Sequence, residues 1–402
     1  MKELTFLIRL EYGKLMKRRL TWFAILGILL LVIAQPTTSL FGTRYYDGTP
    51  IGSSSQWRTW EREVVDAMEG TVIDEAFLRK AEQSVRSFWD QTEEIRGTEG
   101  ATERYVSGYM EMEMPYNLLL ESISGLGITR YEMDFAEYYT QYDAYIRDYY
   151  KSSLSEEAIS ELVAMSKGNQ PFVYGWQEGC NIYAATRNGM SFYTCFALAI
   201  CLAGMFAGEV SSRMEAVVLS TRYGKNKLLA AKLLVGMSFA LLVAVVTSLI
   251  SYVANGMVYG FGGTKLAAQM MTPFIAWNLT MGQLCLIMTG CGVLAAMLTA
   301  AVTMALSARA KSSSSVLIIG FLFLLIPLFI NIPGQYRIPA AIYHLLPTLL
   351  SKIQYAFDGL LVLQIGDVFI PQWQLAYPVY LTACGILIAL TYRTFQKHQV
   401  GR

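Results

Sequence analysis

The chain has 402 residues, 54% hydrophobic and only 16% charged, whereas a soluble domain carries roughly 25% charged residues. A net charge of +1 argues against a nucleic-acid binder, which shows a basic excess. Six Cys and two His, scattered along the sequence, are too few for a disulfide framework or a zinc site.

The first element is a short amphipathic segment, residues 1–19. Leu4, Leu7, Ile8, Tyr12 and Leu15 share one helical face, with Lys2, Arg9 and Lys17 on others. This is the pattern of a helix lying on the inner leaflet; the plainer alternative is a basic flank to the span that follows. That span, residues 20–41, is almost free of charge. Val32-Ile33-Ala34 resembles a signal-peptide cleavage site, but Pro36 follows closely and the basic region before the apolar run is unusually long, so the segment is read as retained.

Residues 42–189 are different in kind: 13 Lys and Arg face 25 Asp and Glu, a net charge of −12. The stretch reads as helical. Tyr131, Phe135, Tyr138, Tyr142, Tyr145 and Tyr149 repeat at alternating spacings of three and four, one aromatic stripe on a helix. Phe77, Ala81, Ser84 and Phe88 form a second stripe. Ser153–Glu157 carries an N-cap signal with acidic residues in the first turn, and Gly97–Gly100 and Ser122–Gly127 mark turns. Two readings of the Tyr stripe stay open. It is a helix–helix core, or it is an acidic aromatic surface on which Tyr131, Phe135, Tyr138 and Tyr142 contact a cationic amphiphile.

Five further apolar runs follow in residues 190–402: Met190–Gly208, Leu228–Val258, Gly282–Leu306, Ser315–Asn331 and Leu375–Tyr392. A bilayer core about 30 Å thick needs about 20 apolar helical residues. With the N-terminal run, the expectation is an all-α membrane protein of six spans, with a helical extracytoplasmic domain between the first and second. Gly282, Gly290, Ala296 and Ala300 give the fourth span small residues at which helices can approach. Residues 332–372 are apolar but broken by Pro339, Pro347, Lys352, Asp358, Gly366 and Asp367, and are read as re-entrant or interfacial helices.

Basic residues set the orientation. The N-terminus, the loop holding Arg213, Arg222, Lys225 and Lys227, the turn holding Arg309 and Lys311, and the tail holding Arg393, Lys397 and Arg402 fall on one face. Both termini are therefore expected in the cytoplasm, and the 42–189 stretch outside. Cys180 alone lies outside, so no disulfide forms within that domain.

Several chemistries have no signature. There is no G-x-x-x-x-G-K-[ST] phosphate loop, no metal-ligand spacing and no nucleophile–base arrangement; His344 and His398 are isolated. No carboxylate sits inside a span, where a proton- or sodium-coupled carrier usually needs one. The energy source is expected to be external.

The loop after the second span is the most informative stretch. Phe206-Ala-Gly-Glu209 ends the span. A short amphipathic segment follows, in which Met214, Val217 and Val218 share a face, then Leu219-Ser-Thr-Arg-Tyr-Gly-Lys225 and Lys227-Leu-Leu-Ala-Ala-Lys-Leu-Leu234. Here the sequence resembles the permease subunit of a type-2 ABC transporter, of the exporter-like kind. The resemblance covers the membrane portion, including the N-terminal amphipathic segment and the re-entrant segment; the insert at 42–189 departs from many members. It implies a coupling loop at 209–227, in which Glu209, Arg213, Glu215, Arg222, Tyr223 and Lys225 touch or position a motor. It also implies a separate ABC ATPase subunit in two copies, which binds ATP and Mg, and a second permease copy as homodimer or heterodimer. The chain itself is expected to hold no cofactor, to be no enzyme and to lie in a bacterial cytoplasmic membrane. Export of an amphipathic peptide, antimicrobial or toxin-like, suits the acidic outer stretch; sodium or drug export remains open. The competing class is a membrane sensor or immunity protein that binds such a peptide without transport.

Overall fold

The computed structural model describes residues 2–129, 132, 134–152, 154–214, 226–332, 336–357, 363–365 and 368–396. The chain divides into two compact units. One comprises Met1–Ile33, Ala185–Ser251 and Ile287–Arg402; the other comprises Ala34–Ala184 and Tyr252–Leu286.

The first unit begins with α1 (Lys2–Lys17) and α2 (Arg19–Thr37). Leu15 of α1 is buried, and Ile8 and Tyr12 pack beside it, while Phe6 and Leu10 stay exposed. Helix α2 is apolar all round, a pattern of membrane spans and deep cores. It buries Ile28 and Val32 against Met190 and Ala197, and leaves Phe23, Leu26, Leu30 and Ile33 exposed.

The second unit opens with a hairpin the helical reading had missed. Strands β1 (Thr43–Tyr46) and β2 (Thr49–Ser53) pair antiparallel. Their turn is Asp47-Gly48, both at positive φ, the signature of a tight hairpin. Helices α3 (Ser54–Asp66), α4 (Glu75–Ile95) and α5 (Ala101–Gly108) follow, the last running into a π-helical turn at Tyr109–Glu113. Asp74 caps α4 by accepting from Phe77 N, and Phe77, Ala81, Val85 and Phe88 form its buried stripe. Helices α6 (Asn117–Gly125), α7 (Tyr138–Tyr150) and α8 (Glu156–Ser166) complete this stretch. Ser155 caps α8 by accepting from Ala158 N, with Glu156 and Glu157 in the first turn.

The aromatic stripe is core. Tyr138, Tyr142, Ile146 and Tyr150 are buried on α7, and Phe135 just before it. They pack beside residues 268–275, far away in sequence. The Tyr142 hydroxyl donates to Ile275 O at 3.2 Å and that of Tyr150 to Phe274 O at 3.0 Å. Tyr138 shares a hydrogen bond with Ser122 at 2.7 Å. Tyr suits this place: its ring fills the core and its hydroxyl satisfies a loop carbonyl. The surface reading of Phe135, Tyr138 and Tyr142 is corrected accordingly; Tyr131 lies outside the described residues. The unit is also larger than residues 42–189 on one side, because the 252–286 stretch belongs to it.

Helix α9 (Glu178–Leu202) begins well before Met190, the residue at which the span was expected to start. Arg187, counted with the polar stretch in sequence, is therefore a buried residue of this helix. After a break come α10 (Ala207–Ser211), α11 (Lys227–Tyr259) and α12 (Met281–Ser307). Ala296 and Ala300 are buried in the core that holds Leu198, Leu202, Leu229 and Leu233. At Gly290 a Cβ would lie 2.3 Å from the Tyr377 hydroxyl, so that close approach requires glycine.

Among the described residues, five helices are long and apolar enough to cross a membrane: α2, α9 continuing through α10, α11, α12 and the last helix, α17 below. The fifth run expected as a span is shorter. Helix α13 (Ser313–Leu325) tightens into a 3-10 turn at Ile326–Leu328, where Pro327 withdraws an amide and ends the α-helix. The Tyr343 hydroxyl bonds Pro327 O and, at 2.7 Å, Ile330 O. Beyond it α14 (Arg337–His344), α15 (Pro347–Leu350) and α16 (Ile353–Ala356) are short helices with Leu349, Leu350, Ala356 and Phe357 buried. A small hairpin of β3 (Leu363–Ile365) and β4 (Val368–Ile370) leads into α17 (Gln372–Gln396).

Candidate functional site

The break between α9 and α10 positions the site. A helix that stops inside a protein leaves carbonyls and amides to satisfy. Here three side chains from distant segments answer the three freed carbonyls. Ser307 Oγ donates to Ala203 O at 2.7 Å, Arg18 Nη2 to Gly204 O at 3.0 Å, and Lys232 Nζ to Met205 O at 3.0 Å. Ser307 Oγ also accepts from Phe206 N and Ala207 N, each at 3.0 Å. Two cations at the C-terminal end of α9 also suit its dipole. Gly204 has no spare room: a Cβ there would lie 3.0 Å from Arg18 Nη1 and 3.2 Å from Ser313 Oγ.

Around this break is a buried charge cluster. Lys232, 1% exposed on α11, donates to Glu209 Oε1 on α10 at 2.7 Å and to Glu11 Oε2 on α1 at 3.2 Å. Glu11 is 3% exposed, and its other oxygen accepts from Lys14 at 2.6 Å. Lys14 also stands 3.7 Å from Glu209. Two ammoniums and two carboxylates thus neutralise one another, the condition under which charges tolerate burial. At the rim, Lys227 pairs with Glu3, and Gln396 donates to Asn226 at 3.0 Å. The cluster lies beside a cavity of about 450 Å³ lined by Lys14, Arg18, Gly208, Glu209, Ser212 and Lys232. Glu209 Oε2 is buried with no partner among the described residues.

Helix α10 ends in a turn that normally demands glycine. Arg213 N donates to Val210 O at 3.1 Å and Met214 N to Glu209 O at 3.0 Å. This is the Schellman pairing, with Arg213 at the left-handed position, φ +56°. Arg213 is exposed. The chain from here to Asn226 connects the two helices that Lys232 and Glu209 join.

A model of one protein family, described as ABC-2 family transporter protein, matches residues 7–400. The chain belongs to the ABC-2 transporter family. Among curated proteins no match is found. An ABC-2 permease is a multi-pass membrane component that works with an ATPase subunit, and is not itself a catalytic enzyme.

Of the residues expected to serve coupling in this ABC-2 chain, Glu209 and Arg213 are at the break, one paired inward and one exposed. Glu215, Arg222, Tyr223 and Lys225 lie outside the described residues. The sequence reading passed over Glu11, Lys232 and Ser307. A signal was present: Glu11 falls on the same helical face as Leu4, Ile8 and Leu15, and Lys232 interrupts an apolar run. Opposite charges on two apolar faces favour meeting each other over meeting lipid.

Proposed function

We propose that the chain is the permease of an ATP-driven exporter, and that the 209–227 loop receives its motor. The carrying observation is the Lys232–Glu209–Glu11 cluster, which ties α1, α10 and α11 together at the roots of that loop. A push on a loop with loose roots dissipates locally, whereas a loop rooted in a packed, charge-locked body passes displacement to its helices. Glu209, Arg213, Glu215, Arg222, Tyr223 and Lys225 touch or position the ATPase. Two ATPase copies, binding ATP and Mg, act on two permease chains, as homodimer or heterodimer. The loop and both termini face the cytoplasm of a bacterial cell, and the acidic stretch 42–189 is extracytoplasmic.

The substrate is an amphipathic peptide. Support comes from the net charge of −12 over residues 42–189, which draws cations, and from candidate spans whose carboxylates, Glu178 and Glu209, stand at the two ends of one helix rather than midway, where ion coupling usually needs them. Purification of the full chain from its host membrane tests the reading. An exporter permease brings down a phosphate-loop ATPase near 1:1 with vanadate-sensitive turnover. Recovery of a kinase, or of no partner, would favour a sensor instead.

A further inference from the structure

The second unit holds a polar cavity of about 210 Å³ that the transport reading does not use. Three carboxylates, Glu61, Glu121 and Glu178, line it with two guanidiniums, Arg44 and Arg58. Arg44 is taken up by Glu61 at 2.9 Å. Among the described residues Glu121 accepts from Asn117 and Glu178 from Asn181, each at 3.2 Å. With all three carboxylates ionised, one negative charge is left in excess of the two guanidiniums.

Three polar atoms on lining residues are buried without a hydrogen-bond partner among the described residues: the Tyr174 hydroxyl, Gln177 Oε1 and Arg58 Nη1, the last on a guanidinium that lies over the Tyr259 ring at 4.1 Å. Tyr174 is 0% and Gln177 4% exposed. Unpaired buried polar atoms are rare and expensive, about 1–3 kcal/mol each, and ask for a ligand. Their chemistry is mixed. Gln177 Oε1 accepts, Arg58 donates, and Tyr174 does either. A simple anion would meet three carboxylates. A bare metal ion would want several ligating oxygens drawn together, and no such group exists among the described residues. An ammonium satisfies Gln177 and the carboxylates. A carbonyl oxygen beside that ammonium satisfies Arg58 and Tyr174.

We propose that this cavity binds a protonated amine with an adjoining carbonyl, the chemistry shared by a free amino acid and by the amino terminus of a peptide. If the ligand is the exported peptide itself, that part rests on the transport reading; binding as such does not.

Titration calorimetry of the purified full chain, with no ATPase subunit or nucleotide present, separates the two. The probes are triglycine, N-acetyl-triglycine and glycine. Saturable binding of triglycine, weakened at least tenfold by N-acetylation, is expected; glycine binding as tightly would assign the site to free amino acids. Glu121→Gln and Tyr174→Phe each weaken binding at least fivefold without lowering the unfolding temperature. Absence of saturable heat with both free-amine probes, or equal binding of the acetylated peptide, would overturn the proposal. Either result leaves ATPase recruitment untouched, so the two readings fail separately.

Discussion

Lys232 of α11 and Glu209 of α10 meet at 2.7 Å where the α9–α10 helix breaks, and Glu11 of α1 completes the contact at 3.2 Å. The two helices that this pair joins are those that enter and leave the loop assigned to the motor. Under the proposed function, Lys232 therefore bears on stability and on coupling together.

Removing Lys232 leaves the buried Glu11 and the partly buried Glu209 with less compensation. Breaking a buried pair from one side costs about 3–5 kcal/mol. Lys232→Met should lower thermal stability of the purified chain by that order. Lys232→Met combined with Glu11→Leu and Glu209→Leu should recover most of it, because the one charge of the cluster that remains, Lys14, is half-exposed and reaches water. Thermal unfolding in one detergent checks both, and a triple variant no more stable than the single would refute the charge-pair account.

Arg213 separates strain from charge. A non-glycine residue in the left-handed region costs about 1 kcal/mol, and the C′ position of this motif favours glycine. Arg213→Gly should leave stability equal or slightly raised while reducing ATPase stimulation, since the guanidinium is lost. Equal stimulation would remove Arg213 from the motor contact.

Tyr142 tests the aromatic core. Tyr142→Phe loses one hydrogen bond to Ile275 O, worth about 1 kcal/mol. Tyr142→Ala opens a cavity worth about 3–5 kcal/mol. Limited proteolysis should show faster cleavage within the 260–280 segment for the Ala variant and little change for the Phe variant.

Glu121 gives the second unit a pH dependence. The protein packed around its carboxyl, then the like charges of Glu178 and Glu61, push its pKa up to about 7, although the residue is solvent-exposed. The unfolded value is near 4.5. Between these values the folded chain binds more protons than the unfolded one, so stability falls as pH rises from about 4.5 through 7. Glu121→Gln should flatten that slope in unfolding scans at pH 5, 6, 7 and 8. Solvent exposure screens the effect and keeps it modest.

How much was legible in the sequence depended on the range of the interaction. The Leu and Ile spacing of α1 and the Ser155 cap of α8 are local patterns, and they were read from neighbouring residues. The apolar runs of α2, α11, α12 and α17 declared themselves by length. The run from Ser315 looked equal to them, but Pro327 ends the helix early, a local signal outweighed by the apolar average. The Asp47-Gly48 hairpin was also local and was masked by the helical tone of its surroundings. What sequence left open was pairing across distance. Nothing near Tyr142 says that Ile275 receives its hydroxyl, and nothing near Glu11 names Lys232, 221 positions away.

The loop between α10 and α11 is proposed to receive the ATPase. The most direct measurement is substrate-stimulated ATPase turnover in proteoliposomes of the complex carrying Arg213→Glu, Arg222→Glu and Lys225→Glu together. Insertion and yield should match the parent, and stimulation should fall to the basal rate. Stimulation that survives all three charge reversals would contradict the assignment.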